Sequence, residues 1–163
     1  MNRLCLVALT LLVIPVFAFS EQPPAIGSKF HKKWKVGRDP SLCVTQPAQM
    51  DPCVGQFFDG IKYQIAYSEK THRVSYVFTN DENFVTLDGL RVGDAIPVTR
   101  DTVHALPGFE VWAPTTRDGW WPIVGYDLAQ IKLSDASTLD LSGKEESAKT
   151  GKAVILGFSK IRP

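Results

Sequence analysis

The stretch Ile61 to Thr79, "IKYQIAYSEKTHRVSYVFT", contains two segments with strand periodicity on either side of a polar connection. In the first segment, bulky apolar and aromatic residues alternate with polar or small ones, which is typical of a half-buried strand. The second segment, Arg73 to Thr79, is rich in β-branched and aromatic residues. The four-residue connection Glu69 to His72 suits a hairpin. We therefore expect two adjacent antiparallel strands.

The next stretch, Thr79 to Ile96 or "TNDENFVTLDGLRVGDAI", could be a metal loop or a turn. Its acidic and amide residues resemble the start of a calcium-binding loop, but Val85 stands where a third oxygen ligand is needed and Thr86 where glycine is obligatory. A D-G pair at Gly89 favours a turn with positive φ, and Gly93 allows a second bend. We interpret the stretch as a structural connector.

This connector is predicted to place Phe84 and Leu90 in the core and to lead into a helix. The following residues, Ile96 to Gly108 or "IPVTRDTVHALPG", have Val103 and Leu106 three positions apart. A proline near the start and a Pro-Gly pair at the end are helix boundary signals. We expect one short helix here.

Strand patterns return after this segment and continue to the end of the chain. The last, Ala153 to Ile161, is predicted to be one strand with a bulge at Gly157. No internal repeat is evident. The expected fold class is α+β, a mostly antiparallel sheet with a single short helix, because strands and helices do not alternate.

The N-terminal residues 1–20, "MNRLCLVALTLLVIPVFAFS", have the features of a secretory signal peptide. Arg3 supplies the positive charge, an apolar run follows, and a small-residue cleavage site precedes Glu21. The predicted organisation is a signal peptide at 1–20, a basic arm at 21–38 and a single α+β domain at 39–163. The expected location is periplasmic or secreted.

Charge is balanced overall but uneven along the chain. The 163 residues include 18 Lys and Arg against 17 Asp and Glu, and loss of the leader removes one Arg, so nothing points to nucleic acid. The arm is basic, and its candidate binding residues are Lys32, Lys33, Trp34 and Lys35. Such a segment suits an anionic membrane surface or an acidic partner. The alternative is a leader that folds back onto the protein's own acidic face.

The cysteines outside the leader are Cys43 and Cys53, in "CVTQPAQMDPC". In an oxidising compartment, two cysteines separated by a short polar loop are expected to form a disulfide. The alternative is a pair of free thiols. A redox motif of the C-x-x-C type is absent from this segment.

Large aromatic residues are concentrated near the middle of the second half of the chain. Trp120, Trp121 and Tyr126 are the candidate ligand-binding residues, because such side chains are frequent at protein interfaces and glycan-stacking faces. The alternative is that they fill the core. Adjacent residues on a strand face opposite sides, so one tryptophan of the pair should be exposed.

The segment Phe84 to Asp94 resembles one found in small exported bacterial proteins of uncharacterised function. Its pattern is F-x-T-x-x-G-[LI]-x-[VI]-G-[DS]. The matching residues are Phe84, Thr86, Gly89, Leu90, Val92, Gly93 and Asp94. This resemblance implies an exported α+β domain and no particular activity. The element order is also similar to envelope-assembly proteins and β-lactamase-inhibitor-like domains.

The leading hypothesis is an exported, non-catalytic binding module, an inhibitor or envelope accessory protein that recognises a protein or glycan of the cell envelope. No cofactor or metal motif is found in the sequence, so none is predicted. The alternatives are a membrane-surface binder that uses residues 29–38 and a small hydrolase. The hydrolase would use Asp81, Asp88 or Asp94 together with His104.

Overall fold

The computed structural model describes residues 22–35, 51–105, 111–125, 130–143 and 149–161, and strands dominate these ranges. Seven of the strands form one antiparallel sheet, and two further pairs form two-stranded sheets. The strands are β1 (Cys53–Phe58), β2 (Ile61–Tyr67), β3 (Val74–Thr79), β4 (Ala95–Thr99), β5 (His104–Ala105), β6 (Val111–Trp112), β7 (Trp121–Gly125), β8 (Gln130–Lys132), β9 (Thr138–Asp140), β10 (Thr150–Val154) and β11 (Gly157–Ile161).

The predicted hairpin is confirmed. Strands β2 and β3 pair antiparallel, with Ile65 opposite Val77. Ser68 donates its backbone N–H to the carbonyl of Arg73 at 2.9 Å, and His72 reverses the chain with a φ of 52°. Local alternation and turn chemistry were enough to predict this pair.

The last strand of the chain lies inside the large sheet, whose order is β1-β2-β3-β11-β7-β6-β5. Phe158 of β11 is paired with Thr79 of β3 on one side and with Pro122 of β7 on the other. The predicted single strand at 153–161 is therefore two strands in two sheets, because β10 ends at Val154 and pairs with β4 instead. Strand β11 joins the two halves of the sheet.

The α+β prediction was wrong, because the segment predicted as a helix forms strands. Ile96 to Thr99 belong to β4, and His104 lies in β5. The helical pattern depended on very few apolar positions, whereas the β-branched residues of β4 find a partner strand, β10, more than fifty residues later in the chain. Within the described residues, the helical content is a 3-10 helix at Lys32–Lys35, and no helix is long and apolar enough to cross a bilayer.

The two faces of the large sheet pack into separate clusters of side chains. Tyr63, Val77 and Phe158 lie on one face, together with Trp120, which follows the same alternation just before β7. Phe78, Trp112 and Ile123 lie on the other face. A third cluster is built around the smaller sheets; its buried members are Val98, Val111, Ala113, Val124, Ile131, Leu133, Leu139 and Ala153.

Residues 22–34 of the predicted basic arm pack against the first face of the sheet. Gly27 donates its backbone N–H to the carbonyl of Val74 at 2.7 Å. Phe30 is 4% exposed and stacks on Tyr67 with ring centroids 3.8 Å apart. Burial of an aromatic ring of this size makes the segment part of the hydrophobic core.

Candidate functional site

Two turns with the pattern T-x-D-G-x lie at one end of the sheet. The first, "TLDGL", spans residues 86–90. The buried Thr86 hydroxyl accepts the backbone N–H of Leu90 at 3.1 Å, and Gly89 donates its N–H to the Thr86 carbonyl at 2.9 Å. Gly89 has a φ of 80°, so the predicted positive-φ D-G turn is confirmed. The predicted burial of Phe84 is confirmed as well, at 7% exposed.

The second turn, "TRDGW" at residues 116–120, repeats this hydrogen-bond pattern. The Thr116 hydroxyl accepts the backbone N–H of Trp120 at 2.9 Å, and Gly119 donates its N–H to the Thr116 carbonyl at 2.9 Å. Gly119 has a φ of 77°. We call the two segments the twin turns.

The twin turns are joined by reciprocal contacts between their aspartates and backbone amides. Asp88 accepts the backbone N–H of Arg117 at 2.7 Å, and Asp118 accepts the backbone N–H of Leu87 at 3.2 Å. The Arg117 guanidinium also contacts the Asp88 carboxylate. Hydrogen bonds from Arg117 hold the pKa of Asp88 below its ordinary value. The pair therefore forms one hydrogen-bonded corner of the molecule.

An open cleft of about 590 Å³ lies beside this corner, and we call it the aromatic cleft. Its walls come from the ends of the strands, from the twin turns and from residues 22–25, which place two prolines along one side. Five side chains form its apolar floor and walls: Phe58, Ile61, Tyr63, Phe84 and Trp120. Two exposed apolar residues, Val85 and Leu87, also line it.

The cleft contains one cation, Lys160 of β11. Its ammonium lies 4.6 Å from the centroid of the Trp120 ring, a favourable cation–π position. Burial lowers the pKa of Lys160, and the nearby charge of Asp118 opposes that effect. Among the described residues, the one ion pair is between Arg117 and Asp88, so Lys160 has no carboxylate within ion-pair distance there.

Tyr63 provides a hydroxyl in the same cleft. Its ring lies 6.1 Å from that of Trp120 with an angle of 27° between the planes. Burial, with smaller contributions from Asp81 and Asp59, raises the pKa of Tyr63 to about 12. The hydroxyl therefore stays protonated and able to donate at neutral pH.

The two adjacent tryptophans face opposite sides of the sheet, as predicted, but the prediction that one of them is exposed was wrong. Trp120 is 4% exposed and packs against Phe84 at 4.9 Å, on the cleft side of the sheet. Trp121 is half-buried on the opposite face, where its ring lies 5.6 Å from those of Trp112 and His104. The third predicted member, Tyr126, lies outside the described residues.

The predicted basic binding residues divide into two groups. Lys32 and Lys33 are exposed on the 3-10 helix. Trp34 is half-buried, because its ring packs edge-on against Phe30 and Phe58. Lys35 ends the helix, and its side chain lies outside the described parts of the structure. The tryptophan is thus turned to the protein core, whereas Lys32 and Lys33 face solvent.

The carboxylates of the hydrolase alternative accept hydrogen bonds from backbone N–H groups. Asp81 accepts the N–H groups of Lys62 at 2.9 Å and Asn83 at 3.0 Å, and Asp94 accepts that of Arg91 at 2.8 Å. These bonds to Lys62 and Asn83 hold the pKa of Asp81 below its ordinary value. Asp88 is bound to Arg117 as described above.

The histidine of that alternative, His104, lies on β5 at the far edge of the large sheet, in contact with Trp121. The ring neighbour of His104 is therefore Trp121, and the structure does not bring His104 together with Asp81, Asp88 or Asp94.

The predicted disulfide can be located only in part. Cys53 begins β1 opposite Ala66, and Cys43 lies outside the described residues, so the pairing stays a prediction. Within the described ranges, no group of three or more His, Cys, Asp or Glu side chains could hold a metal ion.

Comparison with known proteins gives no relative: no family model, curated protein or solved structure matches the chain. The resemblance of Phe84 to Asp94 to exported bacterial proteins therefore stays a prediction.

The sequence analysis did not identify Lys160 as a site residue. In the segment "GFSKI" it has the pattern of any lysine on a strand. A local signal was available for the twin turns, since Thr86-x-Asp88-Gly89 recurs as Thr116-x-Asp118-Gly119. No local signal pairs Lys160 with Trp120, because β11 must first be inserted between β3 and β7.

Proposed function

We propose that the protein is an exported, non-catalytic binding module whose ligand site is the aromatic cleft. The observation that carries this proposal is an open cleft of about 590 Å³ with aromatic walls. A concave, mostly apolar site with a few polar groups is the usual form of a site for small organic ligands. The ligand would be a ring or chain of modest size, presented by a protein or glycan of the cell envelope.

The rim of the cleft supports this reading. The described residues include four exposed large hydrophobic side chains, and two of them, Val85 at 40% and Leu87 at 72%, line the cleft. Exposed apolar groups at the mouth of a concave site favour contact with a ligand or partner. The reciprocal bonds of the twin turns keep this rim in place.

Binding is favoured over hydrolysis by the use of the acidic groups. Asp81, Asp88 and Asp94 stabilise loops through backbone N–H groups, and the oxygens of Asp118 accept from Thr116 and Leu87. General acid–base work needs a carboxyl group or imidazole within reach of the substrate. The polar side chains that line the cleft are Gln22, Asp59, Tyr63, Asn83, Asp118 and Lys160, and none of its described lining residues is a histidine.

The proposal is tested by blocking the cleft. Wild-type protein, Val85→Trp and Leu156→Trp are screened by ligand-observed NMR against uncharged and charged ring compounds. Leu156 is 37% exposed and does not line the aromatic cleft, so its substitution is a matched control. Thermal melting checks that all three proteins are folded.

We expect several ring compounds to bind the wild type and Leu156→Trp but not Val85→Trp, because an indole at position 85 fills the mouth of the cleft. Equal binding by all three proteins, or binding by none, would contradict the proposal.

A further inference from the structure

We propose that the aromatic cleft selects ligands that carry an anionic group on an apolar ring or chain, with Lys160 as the counter-ion. This inference rests on the proposed binding function and specifies the chemistry of its ligand.

Lys160 is held in place by its strand. It lies on β11 opposite Val77 of β3, in the interior of the large sheet. Its side chain crosses the face of Trp120, which is itself buried. The stem is therefore packed, and the ammonium is directed to the cleft that both residues line.

The charge of Asp118 acts on this ammonium, but the two groups do not form an ion pair. Asp118 accepts the Thr116 hydroxyl at 2.7 Å with one oxygen and the Leu87 N–H at 3.2 Å with the other. A cation–π contact stabilises the charge of Lys160 but offers no acceptor lone pair for its three N–H groups. An anion in the cleft would supply those acceptors.

The acidic groups near the cleft restrict where an anion can bind. The charges of Asp81 and Asp59 act on Tyr63, so Lys160 is the donor for an anion. Charge-assisted hydrogen bonds from an ammonium or hydroxyl to an anion are roughly twice as strong as neutral ones. Asp59 and Asp118 also line the cleft, so an anion is favoured only where it contacts the Lys160 ammonium directly.

The body of the ligand is set by the walls. The cleft is also lined by the rings of Phe58 and Phe84 and the side chain of Ile61, which favour a ring or a short aliphatic chain. A hydrated inorganic anion would gain no apolar contact with these surfaces. The expected ligand is thus an organic acid, with its acidic group attached to an apolar body.

The test compares ring carboxylates, beginning with naphthalene-2-carboxylate, with their primary amides, which have the same shape and no charge. Affinities are measured by calorimetry for wild type, Lys160→Met, Lys160→Arg and the control Lys152→Met, a lysine exposed on β10. Ring phosphates and sulfonates form a further arm that separates carboxylates from other anions. Melting temperatures report folding, and Lys160→Met should keep its fold because a half-buried charge is replaced by an apolar chain of similar length.

We expect the wild type and Lys152→Met to bind the carboxylates roughly tenfold or more tightly than the amides. Lys160→Met should lose this preference and bind both at the amide level, and Lys160→Arg should keep it. Equal affinity for acid and amide in wild type, with both lost in Val85→Trp, would overturn the charge selectivity and leave the binding function standing. Absence of all binding would overturn both.

Discussion

Asp88 accepts a hydrogen bond from the backbone N–H of Arg117 at 2.7 Å, and this contact is returned by Asp118, which accepts the N–H of Leu87 at 3.2 Å. The two turns are thirty residues apart in sequence, and the aspartate at the third position of each accepts a backbone N–H of the other. Because both turns border the aromatic cleft, their internal bonds set the shape of the proposed ligand site.

The Thr116 hydroxyl accepts the hydrogen bond that should contribute most to the stability of the second turn. Thr116→Val keeps the shape of the side chain but leaves the Trp120 N–H, now bonded at 2.9 Å, without its acceptor. An unsatisfied buried donor costs about 1–3 kcal/mol, so we expect a loss of that size in the free energy of unfolding measured in urea. Thr115→Val, at an exposed neighbouring position, is the control and should change stability little. A stability loss that is equal in both variants would show that the hydroxyl has no special role.

Glycines at two kinds of position should respond differently to the same substitutions. Gly89 has a φ of 80° and open space around an added Cβ, so Gly89→Ala should cost about 1–2 kcal/mol from backbone strain, and Gly89→Asn less. At Gly157 an added Cβ would lie 2.5 Å from the Phe78 ring and 2.9 Å from the Thr79 carbonyl oxygen. At this position Gly157→Asn should destabilise the protein more than Gly157→Ala, because the larger side chain overlaps more with Phe78 and Thr79. Urea unfolding of the four variants checks the reversed order, and the same order at both sites would refute it.

Removal of the Phe30 ring should destabilise the whole domain. The ring is 4% exposed and stacked on Tyr67, so Phe30→Ala should lower the free energy of unfolding by about 3–5 kcal/mol. Lys33→Ala, three residues later and exposed, should be nearly neutral. Chemical denaturation followed by circular dichroism measures both. A neutral Phe30→Ala would mean that residues 22–34 contribute nothing to the fold.

Stability should fall in acid partly because of Asp81. Hydrogen bonds from the Lys62 and Asn83 N–H groups hold the pKa of Asp81 below its ordinary value of 3.8. As the pH drops, the unfolded chain takes up this proton before the folded one does, so the contribution of Asp81 is present above about pH 4 and is lost below it. Asp81→Asn should therefore show a shallower loss of stability between about pH 5 and pH 2 than the wild type.

The control for this pH series is Asp101→Asn, at an exposed turn position, which should follow the wild-type curve. An Asp81→Asn curve parallel to that of the wild type would count against the assignment. Melting temperatures across the acid range supply both comparisons.

The predicted Cys43–Cys53 disulfide is checked by peptide mapping. Trypsin releases residues 39–62 as one peptide that contains both cysteines. Without reductant, its mass should be lower than the dithiol mass by two hydrogens, and no alkylation should occur. Cys43→Ala should cost about 2.5–3 kcal/mol in the chain-entropy model. Two alkylated thiols in the untreated peptide would disprove the pairing.

Local sequence determined several features of this protein. The hairpin of β2 and β3, the positive φ of Gly89 and the burial of Phe84 follow from alternation, from the conformational freedom of glycine and from a single bulky residue among polar ones. In each case the cause lies within a few residues of the effect, and short-range rules capture it.

Tertiary structure alone decided the rest. Ile96 to Thr99 could follow either a helical or a strand pattern, and pairing with β10 chose the strand. Lys160 acquires its chemistry only when β11 enters the sheet between β3 and β7 and its ammonium meets the Trp120 ring. Hydrogen bonds and desolvation depend on neighbours in space, and here those neighbours come from strands that are far apart in the chain.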